Sequence, residues 1–117
     1  MRLVNATRGT VLAERAGLAR RALERLRGLL GRSSLPEGEG LVIEPCTSIH
    51  TFFMRFPIDV LFLDAQGRVL RAIAALGPWR ATRIYPRAAR VAELPAGTLL
   101  RTGTAEGDLV RMEDPAV

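Results

Sequence analysis

At 117 residues, 48% hydrophobic and 25% charged, the chain is the size and make-up of one globular domain, read over 1–117. Uninterrupted apolar runs, such as 60–63, are far shorter than the ~20 residues of a membrane-spanning helix. Net charge is +5, and all seventeen basic residues are arginine, among sixteen Ala and eleven Gly. That bias is the mark of GC-rich codons. With twelve acids interspersed, it is no argument for nucleic acid by itself.

In chain order, 2–5 and 10–14 read as short strands around a turn at Thr7-Arg8-Gly9. Leu18, Ala22, Leu23, Leu26, Leu29 and Leu30 fall at helical spacing, which predicts an amphipathic helix over 18–30 with Gly31 at its end. A loop follows over 33–40, and 41–43 begins a strand that Pro45 interrupts. From Ile58 the pattern is a hairpin, with strands at 58–63 and 69–73 around Asp64-Ala65-Gln66-Gly67. Apolar residues on both faces of 58–63 make that strand central. Gly77-Pro78 breaks the run, 90–94 is another strand, 98–102 a helical turn, and 109–112 the last strand. One helix with six or seven short strands implies an α+β fold. The expectation is a mainly antiparallel sheet, curled and partly closed like a barrel to protect its edges.

The chemistry-bearing residues concentrate in 45–59. This stretch holds the only Cys (Cys46), the only His (His50), Thr47, Ser48, Thr51, Asp59 and three of the four Phe. Polar groups among aromatic ones suit a ligand pocket, and equally a satisfied core segment. Cys46 and His50, four residues apart, could be a thiolate and its base. On an extended segment, however, they would stand ~13 Å apart. His50 and Asp59 could be an acid–base pair. Zinc would need Cys46, His50, Asp59 and Glu93 together, but no pair has a tight ligand spacing, and no metal or cofactor is expected. Glu93 is a carboxylate inside an apolar strand, pointing either to solvent or to a buried partner.

The segment 80–90 carries Arg80, Arg83, Arg87 and Arg90 with Tyr85 among them and Trp79 just before, and no acid. Such a set suits phosphate, carboxylate or single-stranded nucleic acid, although no recognised nucleic-acid motif is present. A lone cysteine and the absence of an apolar leader or membrane span are read as a cytoplasmic protein.

The run from Cys46 to Arg55, then 58–64, resembles the signature of the domain of unknown function family numbered 192. Arg27-Gly28-Leu29-Leu30-Gly31-Arg32, Glu93-Leu94-Pro95-Ala96-Gly97 and Gly107-Asp108 agree with it in order. The resemblance implies a compact, mainly β domain with a short helical part, and no assigned activity. It points to Cys46, Ser48, His50, Thr51, Met54, Asp59 and Glu93. Many members of that family carry export signals or lipid anchors, which this sequence does not show. The leading expectation is a small-ligand or partner-binding domain. Its pocket would be lined by Ser48, His50, Thr51, Met54 and Asp59, with Arg80 or Arg83 facing an anion. The alternatives are an enzyme using His50 and Asp59, or Cys46, and a weak nucleic-acid binder through 80–90.

Overall fold

The computed structural model describes residues 1–114. Among the described residues, eight strands and two short helices follow one another. They are β1 (Arg2–Asn5), β2 (Thr10–Ala13), β3 (Arg15–Ala19), α1 (Ala22–Arg27), β4 (Glu39–Ile43), β5 (Ile58–Leu63), β6 (Val69–Leu76), β7 (Arg90–Pro95), α2 (Thr98–Thr102) and β8 (Val110–Glu113). The α+β class holds, but the strands divide between two sheets, ordered β2-β1-β8 and β3-β4-β7-β5-β6. Every pairing is antiparallel except β3 with β4.

The helix expected over 18–30 is cut to its middle. Leu18 and Ala19 instead lie opposite Val42 and Ile43 in the parallel β3–β4 pair. Only Ala22–Arg27 is helical, and none of its residues is buried. Glu24 Oε1 accepts from the Arg21 amide at 3.0 Å to start that helix. Leu23 and Leu26, placed by spacing on a buried stripe, are 80% and 71% exposed. A strand partner distant in sequence outweighed a helical propensity that amounts to only tenths of a kcal/mol per residue.

All six residues of β5 are buried, as expected of a strand flanked on both edges and covered on both faces. Leu61 and Leu63 join Leu94 and Ala92 of β7 in a core that also holds Leu3 and Leu12 from the three-stranded sheet. Ile58, Val60 and Phe62 point the other way, with Val91, into a second core. That second core is closed by Leu29, Leu35, Met54 and Ala88, which come from irregular chain rather than from a third sheet.

The turn after β5 ties the two sheets together. Asp64 Oδ1 accepts from the Gln66 and Arg68 amides, both at 2.9 Å. Gly67, at φ +90°, then receives the Val110 amide at 2.8 Å. A methyl group on Gly67 would run into the Val110 carbonyl oxygen. Gly67→Ala therefore combines left-handed strain with a clash against backbone, and costs about 3 kcal/mol. Urea unfolding should show a lower midpoint at unchanged slope, and an unchanged midpoint would refute this account.

Candidate functional site

Glu93 is the sheet residue around which the site is built. In the β5–β7 register it lies opposite Val60, whereas Leu94 lies opposite Asp59. Neighbours along a strand point to opposite faces. Glu93 therefore faces the second core and Asp59 the first. Glu93 is 3% exposed, and its Oε1 has no hydrogen-bond partner in the protein. Burial pushes its carboxyl up from 4.5 to about 7.

Above Glu93 opens a cavity of about 330 Å³. Its walls come from the end of α1 and the turn after it, from Ile43 of β4, and from the 45–50 segment and Met54. Gly28 brings the turn over the carboxylate. It has φ +49°, and a Cβ there would stand 3.7 Å from Glu93 Oε1. Arg25 contributes a second orphan, because its Nε is buried without a partner. The same guanidinium donates through a terminal nitrogen to the Pro45 carbonyl at 3.3 Å.

Cys46 also lines this cavity, half-buried. Its thiol donates to the Ser48 carbonyl at 3.1 Å. Burial raises the thiol pKa, and the nearby Glu93 adds to that, against the opposing pull of the Ser48 contact and of Arg25. A thiol so held is a poor nucleophile at neutral pH. His50 is exposed at the cavity mouth, where its Nδ1 accepts from the Phe52 amide at 3.2 Å. In the neutral ring the proton is therefore on Nε2. The hydrogen bonds of Cys46 and His50 lead to Ser48 and Phe52, not to each other.

Of the residues expected at the site, Cys46, Ser48, His50, Met54 and Glu93 meet at this cavity. Three do not. Asp59 is fully buried on the other face of the sheet, where its oxygens accept from the amides of Ala75 (2.8 Å), Gly97 (3.1 Å) and Leu99 (2.9 Å). It secures the start of α2, whose N-cap Gly97 has no side chain to do so. The His50–Asp59 pair is thus not assembled, and the four zinc donors are divided by the sheet. Among the described residues, no three His, Cys, Asp or Glu side chains are grouped to hold a metal.

Thr51, also fully buried, is a staple. Its Oγ1 donates to the Gly77 carbonyl at 2.6 Å and accepts from the Arg80 amide at 2.9 Å. Arg80 itself is exposed and lies outside the cavity lining. The cations lining the cavity are Arg25 and Arg27 of α1, which read in the sequence as part of a helix's solvated face, and of the two it is Arg25 whose Nε is buried without a partner. Nothing in the sequence shows that Pro45 crosses that helix.

The family model described as DUF192, Uncharacterized ACR, matches residues 3–112. The UPF0127 protein TK1120 of Thermococcus kodakarensis is 32% identical over 112 residues, covering 92% of this chain and 71% of that protein. A Novosphingobium aromaticivorans protein of unknown function superposes with a TM-score of 0.84 at 26% identity, over 96% of this chain and 84% of the other. A Sinorhizobium meliloti chain, whose description proposes a transcription regulator, gives 0.77 at 25% identity, over 94% and 89%. Among the described residues no helix is long and apolar enough to cross a membrane. The chain belongs to the DUF192 family of uncharacterised proteins.

Proposed function

We propose that this domain binds a small polar molecule in the cavity beneath α1. The ligand presents a hydrogen-bond donor, an amine, amide or hydroxyl, to Glu93 Oε1, and an acceptor, a carboxylate, phosphate or carbonyl oxygen, to Arg25 Nε. The observation that carries this reading is the buried Glu93 oxygen without a partner in the protein. Leaving such a group unpaired costs about 1–3 kcal/mol, so a fold that keeps it gains something from it elsewhere. His50 and Ser48 at the mouth add further donors for the same molecule. The anion contact moves from Arg80 or Arg83, as the sequence suggests, to Arg25.

A thermal-shift screen of amines, amino acids, carboxylates and phosphates tests this on wild type, Glu93→Leu and Arg25→Met. A ligand at one hundred times its dissociation constant stabilises by about 2.7 kcal/mol, several degrees for a domain this size. That shift should disappear in Glu93→Leu and weaken in Arg25→Met. A shift that survives in both variants, or no shift from any compound, would sink the reading. If the bound molecule is also transformed, Glu93 is the group placed to move a proton, because a pKa of about 7 suits general acid or base work at neutral pH.

A further inference from the structure

A second surface lies beside the cavity; it shares His50 and the 47–49 segment with the cavity wall, while its other rings and its arginines stand outside that wall. The 47–51 segment runs antiparallel to 79–85. Tyr85 donates to the Thr47 carbonyl (2.8 Å), Thr82 to Ile49 (2.9 Å) and Thr51 to Arg80 (2.7 Å), and His50 bridges to Ala81. This two-stranded ribbon carries a strip of rings. His50 stacks on Phe52 at 4.9 Å, Phe52 lies 6.1 Å from Trp79, and Trp79 lies 4.6 Å from Phe53. Phe53 is 71% exposed and Trp79 59%. Both have left-handed backbone, with φ of 66° and 62°. Bulky residues seldom adopt that region, and strain of this kind gathers where a surface is used. Here it holds two large rings outward at the cost of backbone energy.

The charge around the strip has one sign. Residues 45–63 contain one acid, Asp59, and residues 65–105 contain one, Glu93; both are buried. Arg55, Arg80, Arg83 and Arg87 are exposed on or next to the ribbon. Among the described residues none of these four makes an ion pair, while Arg2, Arg8, Arg71 and Arg90, for example, all do. Arg83 lies over the ring of Tyr85, 5.9 Å from its centroid.

We infer that this aromatic–arginine strip is a binding surface for single-stranded nucleic acid. Exposed rings offer stacking platforms to unpaired bases, and unpaired guanidinium groups flank them to meet phosphates. The strip does not suit insertion into a lipid surface as well. Its rings lie against one another rather than standing apart as tips that would enter between acyl chains. A duplex keeps its base faces covered, so the single strand is the form that matches the rings.

Fluorescence anisotropy with a labelled oligothymidylate at low salt tests the inference. The variants are Phe53→Asn and Trp79→Asn, because asparagine accepts left-handed backbone and should leave the fold intact. Each should weaken binding about tenfold or more. Arg83→Ala should weaken binding and flatten its salt dependence. Arg111→Ala, on β8 of the other sheet, and Glu93→Leu should leave binding unchanged, which separates this surface from the cavity. Three results would overturn the inference. They are no binding at low salt, equal binding of a duplex unaffected by the two ring variants, and ring-dependent capture of anionic vesicles in place of the oligonucleotide.

Discussion

Replacing Glu93 with glutamine should make the protein more stable at pH 8 and leave it nearly unchanged at pH 4. The folded pKa of about 7 lies above the unfolded value of 4.5, so between these limits the folded chain holds a proton that the unfolded chain has released. This contribution to stability is fully present below pH 4.5 and is lost as pH rises to about 7. Across those 2.5 units (7 minus 4.5) the loss is ~3 kcal/mol. Glutamine has the same shape and does not titrate, so the variant escapes the loss. Urea unfolding of both proteins from pH 4 to 8 checks this, and the difference between the two curves is the quantity of interest. Two curves that stay parallel would show that Glu93 is ionised or solvated in the folded protein.

Asp108 acts in the opposite sense and at more acidic pH. Hydrogen bonds from the Asn5 amide, Arg8 and the Ala105 backbone hold its carboxyl below its ordinary 3.8, against a smaller effect of burial. The stability it lends is present above that value and is lost as pH falls through the folded pKa. Taking the difference between wild type and Glu93→Gln cancels it. A single-residue change that stabilises the fold is also what a residue retained for binding would show.

Asp59→Ala should be the most damaging of the polar substitutions. It leaves three backbone amides, those of Ala75, Gly97 and Leu99, without their acceptor. Each bond to a carboxylate contributes about 1.5–3 kcal/mol, and a buried orphan amide costs about 1–3 kcal/mol. A combined loss of about 4 kcal/mol or more is expected, a large share of the 5–15 kcal/mol that folded domains possess. Asp59→Asn should lose less, since its carbonyl still accepts on one side while its NH2 faces a donor on the other. Urea unfolding measures the loss. Hydrogen exchange should also show the Leu99 amide losing protection first, as the start of α2 frays. A loss below about 1 kcal/mol for Asp59→Ala would mean that these bonds contribute little. At low temperature, where Asp59→Ala remains folded, ligand binding in the Glu93 cavity should persist.

Much of the strand layout can be read along the chain. Alternation at 58–63, the Asp64–Gly67 turn and the Gly97 and Gly107 turns each reflect rules acting over a few residues, and the structure places strands and turns accordingly. Helix 18–30 could not be judged in the same way. Its leucine spacing is genuine, but Leu18 and Ala19 are claimed by Val42 and Ile43, more than twenty residues away.

The site divides along the same line. The sequence by itself determined that 45–59 concentrates the rare polar side chains and that Glu93 is a carboxylate within an apolar strand. Tertiary structure decided which of them meet. The β5–β7 register turned Glu93 to one face and Asp59 to the other, so one carboxyl oxygen stands unpartnered in a cavity while the other carboxylate caps a helix. It also brought Pro45 and Glu93 under α1, recruiting Arg25. The physical reason is the two-residue period of a strand. Alternation shows that adjacent side chains part company, but only pairing with distant strands decides what each one finds on its own side.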